Sequence, residues 1–348
     1  MTDFLRMPSR RVVLSGGAAI AASATALSFI PAPSAAQATR GLSDLLDDAT
    51  RLASLRTAIV ARDGEIVVER GYRGHLTTEP TNIKSASKSV LSAMVGVAIE
   101  RGVLHGVDQP IAPILRNDIP EGADPRIEEV TVGNLLSMQA GLRPTSGPVY
   151  GQWVSGRNLV RGALDQPFED DPGGQMLYST GSTHLLSAIL TVETGRSSLE
   201  NARAWFDAIE EFSIAGWERD PQGIYLGGNE MAMSPRSLLA FGEVWRRGGL
   251  SGDGTRILPQ SWVDEAWTAR TRSRWSGDGY GYGWFLRTMA GEEVRYAWGY
   301  GGQMLYIVPR LGLTVVMTSD DTPRATTIED RDNLHALSAE IMEIVRNS

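Results

Sequence analysis

Apolar residues alternate near both ends of the chain and fall at helical spacing between them. In the first segment, Thr57–Ala61 and Glu65–Glu69 flank Asp63-Gly64, which predicts a two-stranded hairpin with a tight turn. Val90, Leu91, Met94, Val95, Val97, Ala98 and Ile99 then recur at helical spacing until Gly102, predicting a largely buried helix in which Gly96 is a contact point for a neighbour. From about residue 104 to 230 the pattern is helical and irregular, interrupted by Pro110, Pro113, Pro120, Pro144 and Pro167. Helices are predicted over 238–247 and 259–268. Strand signals return at 282–286, 294–298, 303–308 and 313–317, and an amphipathic helix is predicted over 330–346.

Strands from distant segments, with helices between, predict an α/β (α+β) fold. One antiparallel sheet, built from about 45–103 and 236–348, is flanked by helices and carries an inserted, mostly helical subdomain at about 104–235. A cleft between the two is the natural place for a site.

Candidate chemistry concentrates at the start of the first long helix. Thirty-three residues are Lys or Arg, yet Lys occurs only at Lys84 and Lys88. A guanidinium stays protonated at any working pH, whereas a buried amine can lose its proton. Lys88 lies three residues after Ser85, one helical turn away on the same face. A neutral amine there can take the proton of the Ser85 hydroxyl and activate it as a nucleophile. Unpaired N–H groups at that helix end, the backbone N–H of Ser85 among them, can help to stabilise an oxyanion. By itself a Ser-x-x-Lys pair is a short motif that also arises by chance.

Two further segments complete a pattern. Pro172-Gly-Gly-Gln-Met-Leu-Tyr178-Ser-Thr180 opens a second helix, and Trp298-Gly-Tyr300-Gly301-Gly302-Gln303 stands at a late strand. With Ser85-x-x-Lys88 and the segment 130–142, they resemble the serine β-lactamase-related superfamily, in its class C β-lactamase, penicillin-binding-protein and esterase branch. Within that branch Gly-Tyr-Gly-Gly-Gln is similar to the 6-aminohexanoate-dimer hydrolase type. The resemblance spans about residues 45 to 345. It implies Ser85, Lys88 and Tyr178 as catalytic residues, and an oxyanion hole made by the backbone N–H groups of Ser85 and Gln303. It also implies substrate contacts at Thr180, Tyr300, Gly301 and Gly302. Tyr150 and Trp153 are expected to line the pocket, with simple packing the alternative reading. A phenol beside a protonated Lys88 is expected to have its pKa drawn down, so that Tyr178 could move protons.

The chain departs from the family pattern twice. Thr180 stands where Asn is usual, and its shorter hydroxyl offers fewer hydrogen bonds to a substrate amide. Tyr300 stands where a Lys, sometimes His, meets a substrate carboxylate, which argues against β-lactams as preferred substrates. The leading expectation is a serine hydrolase acting on a small-molecule ester or amide. The alternatives are a β-lactamase or D,D-carboxypeptidase of the same mechanism, and a catalytically idle cell-wall or ligand-binding relative.

Composition narrows the remaining possibilities. Cysteine is absent, which removes disulfides and thiolate sites, and the four histidines are scattered without metal-ligand spacing, so neither a metal nor a cofactor is expected. Ser9-Arg10-Arg11-Val12-Val13-Leu14, a weakly apolar stretch to Ile30, and Ala36-Gln37-Ala38 read as a twin-arginine signal over 1–38, ahead of a hydrolase domain over 39–348. Its removal would leave 30 basic and 40 acidic side chains (33 less three Arg, 41 less one Asp), a balance that argues against nucleic acid as a partner. The expected location is periplasmic or secreted, without stable membrane insertion. Changing Arg10 and Arg11 together to Lys should hold precursor in the cytoplasm, while blocking the general secretory route should not. Fractionation of cells expressing the double mutant tests this, and mature periplasmic protein would reject twin-arginine export.

Overall fold

The computed structural model describes residues 35–322 and 328–348, so the twin-arginine pair and the stretch to Ile30 lie outside the described residues. Among the described residues there are eleven strands: β1 (Leu55–Arg62), β2 (Glu65–Gly71), β3 (Thr81–Asn82), β4 (Gly216–Trp217), β5 (Met231–Met233), β6 (Thr271–Arg272), β7 (Gly279–Tyr280), β8 (Phe285–Met289), β9 (Glu292–Gly299), β10 (Gln303–Val308) and β11 (Leu313–Ser319). Eight form one antiparallel sheet in the order β2-β1-β11-β10-β9-β8-β7-β6. The first hairpin turns at Asp63 and Gly64, both at positive φ (52° and 95°), the backbone a two-residue hairpin requires. β1 then pairs with β11, Val60 opposite Val315, so the two predicted strand groups join in the middle of the sheet.

Alternation along these strands sends side chains to two cores. On one face Ile59, Leu305, Ile307 and Val316 pack with Leu238, Phe241 and Trp245 of the Pro235–Arg246 helix. On the other, Val60, Met304, Tyr306 and Val315 pack with Leu42 and Leu46 of the Ala35–Asp48 helix and with Leu337 and Ile341 of the Ile328–Arg346 helix. Strands β10 and β11 are therefore buried on both faces. Segment 104–230 supplies short helices around the Ser87–Glu100 and Thr180–Thr194 helices. Among the described residues no helix is long and apolar enough to cross a membrane.

Several local expectations are corrected. The strand expected at 282–286 starts only at Phe285, because Gly283 (φ 79°) turns the chain against the first long helix. A Cβ at Gly283 would lie 2.9 Å from the Lys88 carbonyl oxygen, and the Ser89 hydroxyl donates to the Gly283 oxygen at 2.6 Å. A small sheet of β3, β5 and β4 was not anticipated, since strands of two and three residues carry no readable period. Neither was the helix that starts at Ala35, which runs through the Ala36-Gln37-Ala38 segment and buries Ala38.

Gly96 is a contact point, as its place in the pattern suggests: a Cβ there would overlap the indole of Trp262. Replacing Gly96 by Val should therefore destabilise the fold by about 1–3 kcal/mol through overpacking. The unfolding midpoint of Gly96→Val in denaturant measures this, and an unchanged midpoint would show that Trp262 moves aside freely.

Candidate functional site

Three backbone devices bring the site together. The first is the 3₁₀ turn Lys84–Ala86, which feeds the Ser87–Glu100 helix without any side-chain cap. The second is the start of the Thr180–Thr194 helix, whose end N–H groups are satisfied from a neighbouring loop. Thr180 N–H donates to the Ser146 hydroxyl and Gly181 N–H to the Thr145 hydroxyl, each at 2.8 Å. The third is the turn between β9 and β10, where Gly301 and Gly302 take φ of 87° and 96°. Both β9 and β10 pack against the Lys84–Ala86 turn, which brings Gln303 to the Ser85 side of the sheet.

Lys88 is the centre. Its side chain is only 2% exposed. The amine lies 3.1 Å from Ser85 Oγ, 3.4 Å from Thr180 Oγ1 and 2.7 Å from the Gly228 carbonyl oxygen, with no carboxylate among these partners. Burial without a counter-ion disfavours the charged form and brings the Lys88 pKa down to about 7. A neutral amine has two N–H donors and one lone pair. Donation to Gly228 and Thr180 leaves the lone pair facing the Ser85 hydroxyl.

Tyr178 closes the site from the sheet side. Its ring lies 5.1 Å from the Lys88 amine and is walled by Trp275, Tyr280 and Phe285 at 6.0, 6.2 and 6.2 Å between centroids. The expected downward pKa shift does not occur. Burial among these rings pushes the Tyr178 phenol up to about 12, and the hydrogen bond with Ser85 only partly opposes it. The physical reason is that burial of the phenol itself penalises its charged form. Tyr178 therefore stands as a protonated hydroxyl, and Lys88 as the group that titrates near neutral pH.

The other sequence candidates separate into two groups. Thr180 is 5% exposed, and its hydroxyl meets Lys88 and Ser146, so it shapes the amine's surroundings instead of opening to the cleft. Trp153 packs with Leu159 and Leu226, donates to the Leu159 oxygen at 3.1 Å and meets His184 edge-on, which is the packing alternative. Tyr150 is half-buried, and its hydroxyl accepts from Asn229, next to Gly228. Tyr300 is 53% exposed. Gln303 is buried, and its side-chain amide donates to the Ser319 oxygen at 2.8 Å, so its side chain is engaged away from Ser85. His184 packs within its helix, with a buried partner, Asp220, at 3.0 Å.

Sequence reasoning missed Gly228. A Cβ there would lie 2.7 Å from the Lys88 amine, so only glycine admits its carbonyl so closely, and Gly227-Gly228 is the signal that could have marked it. It also missed the strained residues. Lys84, Met138 and Glu230, all at φ between 51° and 62°, adjoin Ser85, Tyr178 and Gly228 in space or sequence. A left-handed backbone at a non-glycine residue costs about 1–3 kcal/mol, and such strain concentrates at functional sites. A cavity of about 660 Å³ bounded by Trp245, Arg246, Arg310 and Glu292 lies elsewhere and contains none of these groups.

A buried amine against a serine hydroxyl, under a phenol and beside a glycine-rich strand turn, is the arrangement of an active-site-serine hydrolase. The chain belongs to the Beta-lactamase family, whose pattern it matches over residues 35–340. Solved structures agree on the fold. A protein assigned as a 6-aminohexanoate-dimer hydrolase from Bacillus anthracis is 20% identical, with a TM-score of 0.70 over 88% of this chain and 81% of its own. EstCE1, a hydrolase with promiscuous acyltransferase activity, is 18% identical, with a TM-score of 0.68 over 89% and 98%. A D-stereospecific amidohydrolase from Streptomyces sp. is 16% identical, with a TM-score of 0.63 over 87% and 98%.

If the neutral Lys88 amine is the form that accepts the Ser85 proton, the rate of Ser85 modification by a fluorophosphonate should rise with pH through about 7 and level off above it. In Gly228→Ala the added methyl displaces the amine, and that rate should fall about 100-fold on its plateau. A flat profile across pH 6–8 would remove Lys88 as the titrating group.

Proposed function

We propose that the protein hydrolyses neutral small-molecule esters or amides through an acyl-enzyme on Ser85. The observation that carries this reading is the Lys88 amine, buried without a carboxylate partner and 3.1 Å from Ser85 Oγ. Ser85 Oγ attacks the substrate carbonyl carbon as its proton passes to Lys88. The carbonyl electron pair becomes an oxyanion facing the backbone N–H groups of Ser85 and Gln303. As the bond to the leaving group breaks, the Lys88 proton reaches the departing oxygen or nitrogen through the Tyr178 hydroxyl. Water then attacks the acyl carbon, giving its proton to Lys88, which returns it to Ser85 Oγ as the acyl–Oγ bond breaks and the free serine is restored. In this scheme Tyr178 relays a proton and is never a lasting phenolate.

Preference for neutral substrates rests on the rim. Tyr300 offers no cation, and the nearby ammonium of Lys84 is already paired with Asp321 at 2.9 Å. A charge-assisted hydrogen bond is worth about 1.5–3 kcal/mol, or roughly 10- to 100-fold in rate if realised in the transition state. Turnover of a neutral short-chain p-nitrophenyl ester should therefore exceed that of nitrocefin in kcat/KM, and Tyr300→Lys should narrow the gap. Ser85→Ala should lose turnover and fluorophosphonate labelling at an almost unchanged thermal midpoint, and Lys88→Arg should be nearly as inactive as Lys88→Ala. Efficient nitrocefin hydrolysis unimproved by Tyr300→Lys would move the β-lactamase reading to first place.

A further inference from the structure

The second lysine is as unusual in this arginine-rich chain as the first. Lys84 immediately precedes Ser85 and holds φ at 51°, a left-handed backbone that its side chain makes unfavourable. Its backbone is fixed locally: Lys84 N–H donates to Asn82 Oδ1 at 2.9 Å, and Asn82 donates in turn to Glu230 at 2.5 Å. Its ammonium lies 2.9 Å from Asp321 and 3.9 Å from Glu230.

These two carboxylates sit on different parts of the site. Glu230, itself at φ 54°, is two residues from the Gly228 carbonyl that holds the Lys88 amine. Asp321 lies under the strand turn that leads into Gln303, since a Cβ at Gly301 would come within 2.7 Å of Asp321 Cα. The run 319–322 is thus attached to the site through Asp321. A single ammonium spans the holder of the amine and the support of the oxyanion turn, directly beside the serine. Its three N–H groups point in tetrahedral directions, which suits two carboxylates on separate segments. A planar guanidinium favours a paired fork on one of them.

We infer that Lys84 is a positioning residue that holds Ser85, Gly228 and the Gly301–Gln303 turn in register through its Asp321 and Glu230 contacts. The inference rests on Ser85 as nucleophile. It assigns Lys84 a charge-dependent role in kcat, and no role in binding a substrate carboxylate.

Because the chain has no cysteine, Lys84→Cys creates a single thiol that can be alkylated selectively. Aminoethylation of that thiol rebuilds a lysine-length side chain with an ammonium, while carbamidomethylation adds a neutral cap. For hydrolysis of a p-nitrophenyl ester, Lys84→Cys should lower kcat about 10- to 100-fold with KM changed by less than about threefold. The fluorophosphonate labelling rate of Ser85 should fall in parallel. Aminoethylation should restore both, and the neutral cap neither. Lys84→Gly, which relieves the backbone conformation, should keep its thermal midpoint and still lose kcat, which separates positioning from stability. Full kcat in Lys84→Cys, equal rescue by the neutral cap, or a loss confined to KM would each overturn the inference. Failure of the unmodified protein to label at Ser85 would instead overturn the nucleophile reading, so the two failures are distinct.

Discussion

The site depends on keeping one amine dry. Lys88 lies under helix, sheet and loop at once, and its free-energy balance differs from that of an exposed lysine. The drop from 10.5 to about 7 corresponds to roughly 5 kcal/mol between the two protonation states. That bias comes from the absence of water and of a counter-ion, with no single contact responsible. Gly228 serves it directly, because its missing side chain lets the backbone approach the amine, while Gly283 packs against the Lys88 main chain. Even the aromatic wall around Tyr178 contributes, because it excludes solvent from the same volume.

Desolvation also sets how the two acid–base groups divide their work. If the amine had kept its charge, it would have drawn the phenol down and made Tyr178 a base. Burial instead raises the phenol and lowers the amine, which is why the proposed scheme gives the basic role to Lys88. The same environment thus reverses the roles expected from charge alone, and it leaves Thr180 as a hydrogen-bond partner that directs the lone pair of Lys88. A carboxamide at 180 would have been long enough to reach past the amine, whereas a hydroxyl stays beside it.

Much of the frame was legible in the sequence. Strands β1, β2, β9, β10 and β11 follow from alternation and from Asp63-Gly64, and the long helices follow from spacing. Ser85, Lys88 and Tyr178 are visible because their motifs stand at the starts of helices. What escaped is what has no period or motif. Gly228 acts through a carbonyl that every residue has, and its selection is visible only as the space its missing side chain leaves. The Tyr178 pKa needed the positions of Trp275, Tyr280 and Phe285, two of which come from strands and one from a loop a hundred residues away. Lys84 belongs to no motif, and its partners Asp321 and Glu230 are distant in sequence.

The pairing of β1 with β11 has a consequence for the order in which this molecule assembles. The strand that begins the sheet has one neighbour close in sequence, β2, while its other edge stays open until residues 313–319 exist. Such long-range closure is entropically slow, and the unpaired edge is sticky while it lasts. Ser85 and Lys88 are made early, but Gln303, the proposed oxyanion donor, and Asp321, which pairs with Lys84, come only with the last strands of the sheet. On the proposed mechanism, a nascent or truncated chain would carry Ser85 without the surroundings that activate it. Reactivity therefore arrives with the last strand, as a property of the finished sheet.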